Sequence, residues 1–249
     1  MVSNGQTENR DKRDSSSEDM AVTLPMVEVF ETVEGEGTMA GYPTTFVRVF
    51  HCNLRCVWCD TKYSYAPARP AYYASVQEIA DQVLAFQNAH VCLTGGEPLL
   101  HGQKSQALVR QLANLPVVRD LHVETNGAVD LRPFDHLRET EANCRAKLRF
   151  IMDYKLPGSG EEVAMNRKNF EVLRENDEIK FVIADSRDFE RAKEVIHEHI
   201  QRGQVLLSPV FSSVSPKQLV EWTLASKMKS VRINLQLHKF IWDPEMRGV

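Results

Sequence analysis

The sequence predicts an α/β fold, a single domain built as an open, partial (β/α) barrel, and three observations predict it. Short β-branched and apolar runs recur along the chain with helical patterns between most of them, the alternation that produces a parallel sheet. Six or seven such units fit an open barrel better than a doubly wound sheet. The densest group of reactive side chains, His51 to Thr61, follows directly on one of these runs, and barrel enzymes build their sites at the carboxyl ends of strands. With 249 residues, 43% of them hydrophobic, the chain is long enough to bury a full core in one domain.

Taken in order, Met1 to about Met20 is charged and nearly free of apolar residues, so ordering it would gain little burial. A disordered tail is expected over residues 1–20 and the folded domain over 21–249. Val27, Val29 and Phe30 indicate a short strand, ended by the turn Glu34-Gly35-Glu36-Gly37, whose glycines permit positive φ and close backbone approach. Thr44 to Phe50 is β-branched and aromatic, a strand running straight into the cysteines. Ser75-Val76-Gln77-Glu78 is a capping box, and Val76, Ile79, Val83 and Phe86 give the helix behind it one apolar face.

His90 to Thr94 is the next strand, followed by Gly95-Gly96-Glu97-Pro98, where small residues let the backbone close on a ligand and Glu97 can accept from an amine. Cys92 reads as a buried core thiol. Further strands are expected at Leu121–Gly127, Leu148–Asp153, Ile179–Ile183, Val205–Ser208 and Val231–Leu235. Helices are expected over Asn166–Asn176, Ser186–Arg202 with Gly203 as the stop, and from Ser215-Pro216 to Met228. Cys144 reads as an incidental thiol in a polar connection, and His197 and His199 as solvent-facing.

Charge and hydropathy exclude several classes. Lys+Arg 30 against Asp+Glu 34 leaves a net charge of -4, without the basic stripe that nucleic-acid binding requires. No apolar run reaches the roughly 18 residues needed to span a bilayer, and the amino terminus lacks a signal-peptide apolar core. A cytoplasmic protein is expected, in a reducing compartment where thiolates stay available.

Cys52, Cys56 and Cys59 are spaced C-x3-C-x2-C. Three thiolates hold three irons of a cubane cluster and leave the fourth iron open to a small molecule. A structural zinc site would recruit a fourth ligand, for which His51 is the nearest candidate, and a disulfide framework would want an even cysteine count where this chain has five.

With Trp58 directly before the last cysteine, the motif resembles the radical S-adenosylmethionine (SAM) enzymes, and the resemblance narrows to the 7-carboxy-7-deazaguanine synthase family. It runs from about Met26 to Ile241 and rests on the Glu-Gly-Glu-Gly turn, Arg48, Cys59-Asp60-Thr61, Thr94 to Pro98, Glu124 to Gly127, Asp153 to Pro157 and Gln236 to Lys239. The resemblance implies conversion of 6-carboxy-5,6,7,8-tetrahydropterin to 7-carboxy-7-deazaguanine and ammonia through a 5'-deoxyadenosyl radical, with no catalytic residues beyond the cluster and SAM. It implies a 4Fe-4S cluster on Cys52, Cys56 and Cys59, and Mg2+ on Thr61. SAM would be held by Trp58, Cys59, Asp60, Gly95, Gly96, Glu97, Asp153, Tyr154, Lys155 and Ser208. The pterin would be held by Val33, Glu34, Gly35, Glu36, Arg48, Thr94 and His238, with the planar fork of Arg48 suited to a carboxylate. A homodimer and an electron donor such as flavodoxin are further expectations, with neither nucleic acid nor membrane as partner.

The chain departs from the family pattern in places. Glu34 stands where Gln is common, putting an acceptor-only carboxylate at the pterin edge; Asp153-Tyr154-Lys155 replaces Ser-Pro-Lys, and Ser208-Pro209 replaces Gln-Pro. The tail Trp242 to Val249 runs past the end of many relatives. Two other readings share parts of these motifs. A glycyl-radical activase would use the cluster but not Arg48, Thr61 and His238, and a zinc-stabilised interaction module would use the cysteines with His51.

Overall fold

The computed structural model describes residues 19–211, 213–243 and 246–248. Most of the expected tail, residues 1–18, lies outside the described residues, as do three positions of the carboxyl-terminal segment. Asp19 and Met20 already belong to the fold, since Asp19 pairs with Arg110 and Met20 packs on the core.

Nine strands follow one another as β1 (Thr23–Val33), β2 (Pro43–Val49), β3 (Tyr72–Ser75), β4 (His90–Gly95), β5 (Asp120–Thr125), β6 (Leu148–Tyr154), β7 (Glu178–Ile183), β8 (Gln204–Pro209) and β9 (Val231–Ile233). They form one open sheet in the order β3-β1-β2-β4-β5-β6-β7-β8-β9. β1 runs antiparallel to both β2 and β3, while every pairing from β2 onward is parallel. The architecture is the open partial barrel, with β1 longer than the short strand read from Val27–Phe30.

The helices are α1 (Val76–Phe86), α2 (Gln103–Asn114), α3 (Arg132–Thr140), α4 (Ala142–Lys147), α5 (Ser186–His199), α6 (Pro216–Ala225) and the short α7 (His238–Ile241). The capping box of α1 is complete: Glu78 N–H donates to Ser75 Oγ at 3.2 Å and Ser75 N–H to the Glu78 carboxylate at 2.7 Å. α6 opens with Pro216 behind the capping hydroxyl of Ser215 and stops short of Met228. None of the helices described is long and apolar enough to cross a membrane.

Three local expectations are corrected. The helix expected over Asn166–Asn176 is replaced by 3-10 turns, Glu162–Ala164 and Arg167–Val172. The cause is Asn169, whose buried amide donates to Gly127 and Val129 carbonyls and accepts from Leu131 N–H, so the chain there is shaped by the loop after β5. Cys144 is 1% exposed inside α4, a core thiol. His199 is half-buried with its ring stacked on Phe170, whereas His197 is exposed as expected.

Alternation along each strand separates two environments. Val47, Val49, Val91, Leu93, Leu121, Val123, Phe150, Met152, Ile179 and Phe181 join the apolar faces of the helices in the core. The intervening residues point the other way, to the concave face, and many are polar: Arg48, Thr94, His122, Glu124, Arg149, Asp153, Glu178 and Lys180. The registers Phe46–Cys92–His122–Arg149 and Asp153–Lys180 lay these residues in rows across the strands. A charged interior therefore sits inside an apolar shell.

Candidate active site

The cysteine loop leaves β2 at its carboxyl end and is built into the barrel rim by backbone bonds. Glu97 N–H donates to the His51 carbonyl at 2.7 Å, His51 N–H to the Ser64 carbonyl at 2.8 Å, and Val57 N–H to the Ser159 carbonyl at 3.0 Å. The glycines after β4 make this approach possible. A side chain at Gly95 would collide with the Val49 backbone, and one at Gly96 with the His51 carbonyl and the Cys52 Cβ. Here glycine makes close contact between two loops possible.

Glu97 is held in the same packing. Its carboxylate is fully buried and accepts from Thr125 Oγ, at 3.0 Å to each oxygen, from Asn126 N–H at 2.6 Å and from Leu99 N–H at 3.1 Å. Burial pushes its carboxyl up to about 7, against the pull of those donors. The residue ties the turn after β4 to the turn after β5. Asn126 then reaches the cysteines, its amide 3.7 Å from Cys52 Sγ and 2.8 Å from Asn53 Oδ1.

Cys52, Cys56 and Cys59 are free and partly exposed. Burial raises both the Cys52 and Cys56 thiols, the latter to about 11. Iron binding would therefore displace protons. Trp58 packs its indole against Gly158. Thr61 Oγ lies 3.6 Å from Cys59 Sγ, and Asp60 is exposed beside Lys239 at 3.8 Å. Asp153 pairs with Lys155 at 2.8 Å. Tyr154 points the opposite way, its ring packed against Phe170 and Phe181 in the core, so no side-chain contact to a cofactor comes from it. Ser208 is buried and its hydroxyl accepts from Asn234 at 2.8 Å.

The turn after β1 closes the other end of the barrel. Val33 pairs with Pro43 at the start of β2, so residues 34–38 enter at the amino-terminal end of the parallel strands. Glu34 is 3% exposed and takes hydrogens from His122 Nε2 at 2.7 Å and Glu36 N–H at 3.2 Å. Glu36 accepts from Lys180 at 3.1 Å, Asn234 at 3.1 Å and Gln236 at 2.8 Å. Gly37, at φ +70°, brings its backbone against the Glu178 carboxylate, and Thr38 donates to that carboxylate through N–H and hydroxyl. His238 packs its ring on Gly35, and Leu237 N–H donates to the Gly35 carbonyl at 2.9 Å.

Between the two ends lie Arg48, Thr94, Glu124 and Lys180. Arg48 gives only Nε to Glu28, at 2.8 Å, and sits against the Phe30 and Tyr63 rings. Among the described residues its terminal nitrogens have no hydrogen-bond partner. Thr94 donates to Glu124 at 2.6 Å.

A model of the radical SAM superfamily matches residues 47–146. The 7-carboxy-7-deazaguanine synthase of Leptospira interrogans is 38% identical over 242 residues, covering 89% of this chain and 96% of that protein. The chain belongs to the 7-carboxy-7-deazaguanine synthase family. The synthase of Clostridium acetobutylicum is 34% identical over 226 residues, covering 90% of this chain and 98% of its own length. The crystal structure of QueE from Escherichia coli superposes with a TM-score of 0.69 at 21% identity, over 90% of this chain and 99% of that one, a likeness of fold. Family membership makes the chain a radical SAM lyase, working with a 4Fe-4S cluster and SAM. Three free, partly exposed thiols on one loop, joined to no other cysteine, fit a cluster with one open iron.

Sequence reading missed Asp120, His122, Arg149, Glu178, Lys180 and Asn234, which together hold the family's glutamate turn in place. The signal was present as polar residues on one face of adjacent strands: Arg48, His122 and Glu124, Arg149 and Asp153 on either side of Ile151, and Glu178 and Lys180.

Glu36 gives the barrel an acid limit. Burial alone would raise its carboxyl, yet the Lys180 charge and the donors around it bring it down to about 2 from an ordinary 4.5. Titrating lower folded than unfolded, it stabilises fully above pH 4.5 and loses that contribution as pH falls toward 2. Unfolding free energy measured across this range should decline more steeply in the wild type than in Glu36→Gln, by on the order of 2 kcal/mol. Parallel curves would remove Glu36 as the cause.

Proposed function

We propose that this chain is a 7-carboxy-7-deazaguanine synthase, converting 6-carboxy-5,6,7,8-tetrahydropterin to 7-carboxy-7-deazaguanine with release of ammonia. The observation that carries the reading is the likeness to such synthases along nearly the full length of both partners. The relatives favour neither a glycyl-radical activase nor a zinc-stabilised module.

Cys52, Cys56 and Cys59 hold the cluster, which with SAM supplies the hydrogen-abstracting radical. The protein supplies position and exclusion of water. The substrate lies in the barrel interior between the cysteine loop and the glutamate turn, with Val33, Glu34, Gly35 and Glu36 below it. The terminal nitrogens of Arg48 take its carboxylate as a two-pronged donor. Thr94 is oriented by Glu124, and His238 closes over Gly35. SAM rests on the loop around Trp58, Cys59 and Asp60, the Gly95-Gly96 backbone, and Asp153 and Lys155. Thr61 would offer a hydroxyl to Mg2+, a hard cation suited to oxygen ligands. Residues 21–249 act as one catalytic domain in the cytoplasm, as a homodimer reduced by a flavodoxin-type donor.

The test is anaerobic turnover of the iron- and sulfide-loaded protein with SAM, reductant, Mg2+ and the carboxypterin, read by mass spectrometry. The deazaguanine acid is the expected product. Accumulation of 5'-deoxyadenosine without it would keep the radical chemistry and reject the substrate.

A further inference from the structure

Beneath the glutamate turn lies a continuous chain of buried charges that the chemistry above does not use. His122, on β5, is fully buried, and both of its ring nitrogens face carboxylates: Nε2 stands 2.7 Å from Glu34 and Nδ1 2.7 Å from Asp120. Asp120 accepts from Arg149 Nε at 2.6 Å, and Arg149 donates onward to Glu178, which holds Thr38. The turn is thus gripped at two points, Glu34 and Thr38, by one network rooted in β5, β6 and β7.

The geometry decides the state of the imidazole. Two carboxylates accept from it, and only the imidazolium has two N–H groups to give. The groups facing the ring are Glu34 from the turn, Cys92 from β4, Asp120 on its own strand and Arg149 from β6. Burial would lower its pKa, but the two carboxylates raise it to about 9. Glu34, Cys92 and His122 also lie close enough together to surround a cation. The 2.7 Å spacing of Nε2 and the Glu34 carboxylate is that of a hydrogen bond.

We infer that His122 is a positioning residue for the substrate: donating from both ring nitrogens, it keeps Glu34 an oriented carboxylate, so the turn selects a ligand edge that presents N–H donors. This rests on the proposed placement of the pterin on Val33–Glu36. It also gives the unusual glutamate at position 34 a partner within the same chain. A glutamine there could accept from one ring N–H through its amide oxygen but would bring no charge to favour a doubly protonated imidazole.

The experiment compares wild type, His122→Gln and His122→Leu, each loaded with iron and sulfide, for substrate KM, kcat, iron content and SAM affinity. Losing a bond to a charged group should raise KM about tenfold or more in His122→Leu, with kcat, iron and SAM affinity near wild type, and His122→Gln should recover part of the loss. In the wild type, kcat/KM should fall as pH rises through about 9, where one N–H is lost, and this limb should be absent from both variants. The wild-type profile alone tests the idea should neither variant fold. An unchanged KM, a wild-type profile flat beyond pH 9, or one equivalent of a divalent metal that His122→Gln loses would each overturn the inference. A wild type that forms no deazaguanine acid would instead reject the functional reading itself.

Discussion

Cys56→Ala should abolish formation of the deazaguanine acid and leave a protein that cannot be loaded with a full cluster. The loss should exceed the roughly hundredfold effect of removing an outer-shell partner of a metal ligand, because an iron ligand itself disappears. No other thiol can take its place: Cys92 is fully buried in β4, and Cys144 is 1% exposed in α4. The folded chain itself should survive, since Cys56 is partly exposed on a loop and its side chain makes no hydrogen bond among the described residues. Iron and sulfide analysis beside the turnover assay checks both halves, and Cys144→Ala, with normal iron content, is the control. A Cys56→Ala protein that kept four irons and turned over would break the cluster assignment.

Arg149→Met should produce the largest loss of stability of any single substitution considered, about 3–5 kcal/mol, the cost of stranding buried charges without their partner. The guanidinium lies between Asp120 and Glu178 and is 4% exposed, while Glu178 is fully buried. Burial would lower the charge on Arg149, but the two carboxylates hold it firmly protonated. Their attraction is strong here because burial keeps bulk solvent from screening it. The pair Arg132–Asp130 has an equally short contact of 2.6 Å but side chains 56% and 37% exposed, so Arg132→Met should cost less than about 1 kcal/mol. Urea unfolding of the two variants measures the contrast. In the wild type His122 and Arg149 hold the Asp120 carboxyl low against its burial, so the stability Arg149 lends it is lost as pH falls below about 4 and the deficit of Arg149→Met should shrink there. Equal losses for the two variants would show that the network adds nothing to the fold.

The two substitutions act on opposite ends of the barrel, and the sequence revealed those ends unequally. C-x3-C-x2-C is chemistry written in consecutive residues, and its place after a β-branched strand fixed both the cofactor and the end of the sheet that carries it. Strand and helix alternation determined a parallel α/β sheet and favoured the open barrel, because period and capping are local properties: Ser75 with Glu78 starts its helix wherever it stands. The alternating polar residues of the strands were visible, but not that they share one concave face, since a strand's two sides are told apart only by what each side meets.

Tertiary structure alone decided the rest. Asn169 turned an expected helix into 3-10 turns by bonding to a loop some 40 residues away. Gly95, Gly96 and Glu97 also carry loop-to-loop packing that their sequence does not announce, and the Tyr154 ring packs on Phe170 and Phe181. Glu34 could be seen in the sequence as an unusual carboxylate, but not its partner, because His122 lies 88 residues further on and meets it only when β1's turn folds into the barrel. Local pattern determines which elements form and where a contiguous motif sits. Which buried charges face one another depends on register across strands distant in sequence, and that is set only when the sheet closes around them.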